Sequence, residues 1–505
     1  MSGWRKHQPD VEICTHLTAP KQTMTPRTLT NITLFCIASS LFSLNAETET
    51  RPPNFIVIFI DDMGYGDIGP FGSTLNRTPN LDQMAQEGMR LTSFYAAPVC
   101  TPSRAALMTG CYPKRVGLMY GSWHPVLMPA DEHGLNPDEI TIAEILKHRD
   151  YSTACIGKWH LGDQPAFLPT NNGFDTFYGT PYSNDMYPGN TGKNRNFPPY
   201  PLMRNEKVIG EITDQNTITK NLTDQALRFI GENQSNPFFL YMPHVMVHHP
   251  LHAGQNFKGK SANGILGDAI EEIDWSVGEI FKTLKRLGID NDTLVIFTSD
   301  NGPAAGIAGP LRGKKGSTFE GGMREPCIVR WPGRIEAGTQ TDEITSTMDL
   351  LPTLARLAGT SAPTDRIIDG HDIWPILSDQ LGARSAYEAL YYYSRNNLSA
   401  VRSGPWKLHL KGDKGKPALY HLNNDIGETT NLIEKHPAIA ERLAALMEKA
   451  RIDLGDGSDR PGKNVRPIGF WKNPKQLIPN DNGKPVGRGD LKIDPKMWPT
   501  RHVVN

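Results

Sequence analysis

Cysteine is scarce in this chain. Six occur in 505 residues: Cys14 and Cys36 near the start, then Cys100, Cys111, Cys155 and Cys327, widely scattered. None stands in a C-x-x-C pair, so neither a disulfide scaffold nor a structural zinc site is encoded. Excess charge of one sign is also missing. The 53 Lys and Arg face 54 Asp and Glu, a formal charge of −1, which excludes a polybasic nucleic-acid coat and gives no reason to expect DNA or a membrane surface as partner. No apolar run reaches the roughly 20 residues that a stable bilayer span needs. With 38% hydrophobic and 21% charged residues, the chain is not a disordered one either.

What is present begins with an address. Asn31 to Ala46, NITLFCIASSLFSLNA, follows Arg27 and ends in a small residue. This reads as a secretory signal cut after Ala46, with Met24 as an alternative start, and implies a secreted or periplasmic protein. The expected organisation is a leader over 1–46, a large catalytic domain over 52–378, a small α+β domain over 379–454 and a loop-rich tail over 455–505.

Four short apolar runs, NFIVIFI from Asn54, YSTACIG from Tyr151, PFFLYM from Pro237 and TLVIFTS from Thr293, have the continuous β-rich texture of strands buried on both faces. Each runs straight into polar residues: Asp61-Asp62, Lys158-Trp159-His160, a histidine cluster, and Asp300-Asn301. Between them lie amphipathic helical patterns, clearest from Asp268 to Leu287. Alternating strands and helices predict an α/β fold, a large and mostly parallel (mixed) sheet sandwiched by helices. Ligands of such sheets sit at the carboxyl ends of the strands, where these polar groups collect. After about Ser378, strand-like runs followed by a helix over 437–451 predict the smaller C-terminal α+β unit.

Cys100 opens CTPSRAALMTG. The spacing predicts a helix capped by Thr101, with Pro102 first and Gly110 at the exit. Cys100 would then stand at the positive end of a helix, where an anion is favoured.

The string resembles the signature of type I, formylglycine-dependent sulfatases of the alkaline phosphatase superfamily, in the branch of arylsulfatase A and N-acetylgalactosamine-6-sulfatase. The resemblance runs through FIVIFIDDMGYGD, TPNLDQMAQEG, GKWHLG, PYSND, SDNG and KGSTFEGGMREP to LYHLNNDIGETTNL, in order and over nearly the whole chain after the leader. It implies an alkaline-phosphatase-like fold and hydrolysis of a sulfate monoester. Cys100 matches the cysteine that a maturation enzyme oxidises to formylglycine. A hydrated aldehyde offers two geminal hydroxyls, one to attack sulfur and one to expel sulfate afterwards, an exit that a thiol or serine lacks.

Other roles follow from the same resemblance. Asp61, Asp62, Asp300 and Asn301, together with the residue at Cys100, match the ligands of a Ca2+ ion, and hard oxygen donors suit Ca2+ or Mg2+. Arg104 matches the arginine that stabilises the modified residue, while Lys158 and His160 match those of GKWHLG, with His160 as candidate base. Lys315, rather than Lys314, directly precedes the GSTFEGG string. Cationic clamps of this kind stabilise a transferring oxyanion. The stretch HVMVHHPLH offers His244, His248, His249 and His252 as proton donors to the leaving alcohol. Residue type alone leaves these four open. The resemblance favours His248, with His249 second, and nothing in the spacing supports zinc. Ser183 of PYSND matches a sulfate-contacting serine. Lys158, His248 and Lys315 would share substrate binding with it.

The expected substrate is a sulfated small molecule or glycan. Two alternatives stand beside it: a phosphonate monoester or phosphodiester hydrolase of the same superfamily, and a non-catalytic glycan-binding relative in which Cys100 stays a thiol.

Overall fold

The computed structural model describes residues 51–119, 126–188, 190 and 197–479, and the backbone of 485–490. The expected leader over 1–46, with Met24, lies outside the described residues. Residues from Pro52 onward form one compact unit.

The large sheet contains β1 (Asn54–Ile60), β2 (Met89–Tyr95), β3 (Ser152–Lys158), β4 (Thr176–Thr180), β5 (Pro201–Arg204), β6 (Lys207–Glu211), β7 (Phe238–Pro243), β8 (Thr293–Ser299) and β9 (Arg324–Arg330). Short edge segments at Thr339–Thr341 and Thr345–Ser346 complete its eleven strands, in the order edge, β2, β9, β8, β1, β7, β3, β4, β5, β6. The central block β8–β1–β7–β3–β4 is parallel. Antiparallel pairing begins at β9 on one side and β5 on the other.

Every residue of β1 is buried, because both faces of the sheet are covered. Phe55, Val57 and Phe59 face a core that includes α2 (Cys100–Thr109) and the helix Leu350–Leu357. Ile56, Ile58 and Ile60 face the opposite core, built with α1 (Pro79–Gln86), α3 (Ile218–Glu232) and α4 (Gly264–Leu287). The stripe Ile270, Ile273, Val277, Ile280 and Leu284 of α4 is fully buried there, and Gly288 closes the helix at φ +71. The chain is therefore a helix–sheet–helix sandwich of mixed but centrally parallel strands, as the run-and-stop pattern predicts.

A second sheet of four antiparallel strands, Leu390–Ser394, Asn397–Ser403, Trp406–Asp413 and Lys416–His421, carries the C-terminal helix Pro437–Asp453 on one side. Leu443, Leu446, Met447 and Ala450 of that helix join Tyr95, Ala106 and Met323 of the larger part in one apolar cluster. The tail is more structured than its composition suggests. Gly469–Phe470 pairs with His133–Gly134, and Lys475–Pro479 pairs with Pro485–Asp490.

Candidate active site

Asp61, His244, Asp300 and Lys158 stand at the carboxyl ends of β1, β7, β8 and β3, four adjacent parallel strands. The sheet order β8–β1–β7–β3 thus turns four separate sequence motifs into one cluster. At the end of β1, Asp62 adopts φ +63, and past the end of β3 His160 adopts φ +59. Non-glycine residues in the left-handed region are uncommon and gather where a chain is held against its preference.

The helix carrying Cys100 begins two residues earlier than expected. Its N-cap is Val99, in extended conformation, and no side chain caps it, so Thr101 is not the cap and Pro102 is not the first helical residue. The reason is that both hydroxyls have other work. Thr101 Oγ1 donates to the carbonyl of His160, 3.0 Å, and accepts from Leu127 N, 3.2 Å. Ser103 Oγ accepts from Ala97 N and donates back toward Ala97 O and Val99 O, latching the entry strand onto the first turn. Gly110 ends the helix at φ +67, as expected.

Cys100 is buried, 1% exposed. Ligand atoms of Asp61, Cys100 and Asp300 lie within 4.8 Å of one another, as do those of Asp61, Asp62 and His248. Three cations face these acids. Lys158 Nζ is hydrogen-bonded to Asp61 Oδ2. Arg104 Nη2 donates to Asp300 Oδ2 at 2.9 Å and lies 3.7 Å from Asp61 Oδ2, while Nη1 holds the carbonyl of Lys158 at 2.7 Å. Lys315 Nζ sits 2.6 Å from Asp62 Oδ1, and neighbouring Lys314 is exposed. Glycines bring the last loop in: a Cβ on Gly302 would meet Gly321 O at 1.9 Å, so only glycine lets the Asp300-Asn301 turn lie against the loop after Lys315.

Burial alone would raise the Asp61 carboxyl, but Lys158, His248, Arg104 and Lys315 hold it well below the usual range. Asp300 goes the other way, pushed up to about 7 by burial and by the Asp61 charge. Burial raises the Cys100 thiol, against the pull of Lys158 and Lys315. Asp61 Oδ1 and Asn301 Oδ1 are buried with no hydrogen-bond partner. Two orphaned oxygens within an all-oxygen set of Asp61, Asp62, Asp300 and Asn301 fit a hard divalent cation.

The two histidines are oriented differently. His160 Nε2 lies 3.0 Å from the carbonyl of Leu127, an acceptor, so Nε2 carries the hydrogen and Nδ1 keeps a lone pair, buried and unpartnered. Burial, then Lys158 and Arg104, depress its basicity far below the ordinary value. His248 Nδ1 faces two acceptors, Asn184 Oδ1 at 2.9 Å and His249 O at 2.7 Å; its Nε2 points toward Asp62 Oδ2, 3.8 Å away. The other histidines separate from it. His244 is a core residue beside Ser276, held neutral by burial, His249 is exposed, and His252 lies farther along the loop near Asn216. Ser183 is buried one residue before Asn184.

Two residues of this cluster escape sequence reading. Asn184 reads as a turn residue in PYSND, yet its amide orients His248. Glu325 is fully buried with both carboxyl oxygens unpartnered, and burial followed by the charges of Asp300 and Asp62 pushes it well up. A lone acid inside the strand following EGGMR was its only signal.

Residues 53–360 match the sulfatase family model, and residues 314–453 match a model described as N-sulphoglucosamine sulphohydrolase, C-terminal. The chain belongs to the sulfatase family. It is 39% identical to human arylsulfatase A over 462 residues, covering 80% of this chain and 89% of that one. Mouse N-acetylgalactosamine-6-sulfatase is 40% identical over 393 residues, 74% of each. Among solved structures, the PsFucS1 sulfatase from Pseudoalteromonas sp. superposes with a TM-score of 0.74 at 30% identity, covering 88% of this chain and 97% of that one. This sulfatase is a sulfuric ester hydrolase of the type I group, within the alkaline phosphatase superfamily, as its motifs imply. Among the described residues no helix is long and apolar enough to cross a membrane.

Proposed function

We propose that the chain removes sulfate from a sulfated glycan, using formylglycine made from Cys100 and a Ca2+ ion held by Asp61, Asp62, Asp300 and Asn301. The observation that carries this reading is the packing of Cys100 among oxygen ligands and three cations, Arg104, Lys158 and Lys315, at four strand ends. When present, the formylglycine hydrate supplies the nucleophile and its later release, and Ca2+ supplies Lewis-acid charge at the sulfate oxygens.

The chain's own residues do the rest. Lys158, Lys315 and Arg104 concentrate positive charge where a sulfate monoester would otherwise be repelled by the acids. Arg104 also ties Asp300 to the Lys158 carbonyl, so the strand ends keep one spacing. His160 accepts a proton at Nδ1, the nitrogen that Leu127 leaves free. In its imidazolium form His248 donates the Nε2 proton to the leaving alcohol and becomes the neutral ring, whose remaining hydrogen Asn184 and the His249 carbonyl hold on Nδ1. Ser183 adds a hydroxyl for the sulfate beside Asn184. Secretion or periplasmic export and a maturation enzyme acting on Cys100 belong to the same proposal. The glycan class is supported by similarity to N-acetylgalactosamine-6-sulfatase, whose name states a sulfated sugar.

The deciding experiment is the mass of the Cys100 peptide in protein from its own host, together with paired assays on an aryl sulfate and an aryl phosphodiester. Conversion makes the peptide about 18 Da lighter, and the sulfate should be the preferred substrate. An unmodified thiol, or preference for the phosphodiester, overturns the proposal.

A further inference from the structure

Beside the cluster lies a cavity of about 430 Å³ that none of the roles above uses. Its volume falls in the range of small-ligand sites, a few hundred cubic ångströms. A hydrogen-bonded pair links it to the active site. Asn184, which orients His248, exchanges two 3.0 Å hydrogen bonds with Gln215, and the next residues, Asn216 and Thr217, line the cavity. The loop after His248 closes the other side: His252 Nδ1 reaches Asn216 Oδ1 at 3.4 Å, and Gly254 N donates to Glu272 Oε2 at 2.8 Å.

The lining has two parts. Trp275 and Phe257, ring centroids 5.9 Å apart, offer a half-buried aromatic surface. Around it stand the amides of Asn216, Asn221 and Gln255, with donors and acceptors on each. An apolar ring face against an aromatic and hydroxyls against amides are what a pyranose presents and needs. Charge narrows the choice. The cavity holds the carboxyls of Asp214 and Glu272, and its ammonium, Lys220, is already 2.5 Å from Asp224. Beyond Lys220, whose ammonium is shared with Asp224, no described lining residue is cationic, so a second sulfate is poorly matched while a neutral ring fits. Burial pushes Glu272 up to about 7, so it can donate its proton in a hydrogen bond to a hydroxyl, and the repulsion of a sulfate rests mainly on Asp214.

We infer that this cavity is a subsite for an unsulfated hexopyranose, the neighbour of the sulfated residue held at Cys100. The inference rests on the glycan reading above and adds a sulfation pattern to it: one sulfated ring followed by a neutral one.

The test compares wild-type enzyme with Trp275→Ala and with Gln255→Ala, an exposed position that carries little folding risk. Two substrates are used: 4-nitrophenyl sulfate, which has no sugar, and a panel of hexose and hexosamine tetrasaccharides sulfated on the terminal ring only. For the cleaved tetrasaccharides, KM should rise about tenfold in Trp275→Ala, with a smaller rise in Gln255→Ala and kcat held. Both constants for 4-nitrophenyl sulfate should stay within about twofold in both variants. Adding a sulfate to the second ring should raise the wild-type KM by a similar factor. Cleavage of the tetrasaccharides with unchanged KM in Trp275→Ala, equal losses on both substrates, or indifference to the second sulfate overturns the subsite while leaving the glycan reading intact. Hydrolysis of the aryl sulfate with no tetrasaccharide cleaved overturns the glycan reading. In that case calorimetric titration with the unsulfated tetrasaccharides decides the cavity alone: binding that Trp275→Ala abolishes supports it, and no binding, or binding that survives, ends it.

Discussion

Asn184 Oδ1 lies 2.9 Å from Nδ1 of His248, and the same amide donates through Nδ2 to Gln215 Oε1 and to the carbonyl of Pro250. Those two acceptors fix which way the amide faces, so its oxygen must meet the ring. The ring therefore keeps its hydrogen on Nδ1 and presents Nε2 to the site. Replacing Asn184 by Ala should lower kcat by about tenfold to a hundredfold, since general-acid help is worth roughly 10²–10⁴ and only its orientation is lost. The loss should be larger for alkyl or sugar sulfates than for 4-nitrophenyl sulfate, whose good leaving group needs little protonation. Equal losses on both would assign Asn184 a structural role alone.

The carboxylates at the ends of β1 and β8 make a second expectation. Chelation with EGTA should abolish aryl sulfate hydrolysis and lower the unfolding temperature, with both restored by Ca2+, because a ligand bound only to the native state stabilises it by mass action. Asp300→Asn should weaken that Ca2+ response by at least about tenfold, since one charged oxygen ligand becomes neutral. A melting temperature indifferent to EGTA and Ca2+ would argue that the four oxygens hold no ion.

Much of this site was legible in the chain because its chemistry is concentrated at strand ends. Asp61-Asp62, Lys158, and Asp300-Asn301 each follow an apolar run directly, and a parallel sheet necessarily gathers such positions on one edge. The layer structure was legible for the same reason: continuous apolar strands need cover on both faces. What was not legible depends on distant partners. Thr101 reads as a cap because Thr caps helices, but its hydroxyl is drawn to the His160 carbonyl, 59 positions away. Asn184 could be ranked only once Gln215 and Pro250 were seen holding it. The tail looked structureless because a strand that pairs with His133–Gly134 needs no periodicity of its own.

The contact between the small sheet and the Lys315 loop is a third testable feature. Lys407 Nζ, fully buried, lies 2.9 Å from both Glu320 Oε1 and Glu428 Oε1, and Glu428 Oε2 accepts from Glu320 N. Tyr95 and Tyr392 add hydroxyls to Glu320 at 2.5 and 2.9 Å. Burial would raise the Glu320 carboxyl, but Lys407, Arg402 and Arg324 hold it far below the usual range. Lys407→Met removes the one cation that touches both acids, leaving Glu320 to Arg402 and Arg324, and losing one partner of a buried pair costs about 3–5 kcal/mol. Thermal unfolding should shift down by several degrees. At temperatures where the variant is folded, KM for aryl sulfate should rise, because Glu320 ends the loop that carries Lys315. Adding Glu320→Gln should recover part of the stability. Additive losses in the double variant would mean that the two residues act separately.

The buried carboxyl of Asp349 makes stability depend on pH in a definite direction. Burial pushes it up to about 7, although the Tyr387 hydroxyl, 2.6 Å away, and the amides of His371 and Ser346 favour the charged form. A carboxyl that titrates near 3.8 when unfolded and near 7 when native keeps a proton in the native state that the unfolded state has released. Its contribution is therefore fully present below about 4 and fades as pH rises through about 7. Wild-type protein should melt at a lower temperature at pH 8 than at pH 5 in part for this reason. In Asp349→Asn, which cannot titrate, the fall between those two pH values should be smaller, although the variant is less stable at both because one acceptor oxygen is lost. Parallel pH dependence in the two proteins would show that Asp349 stays ionised in the native state.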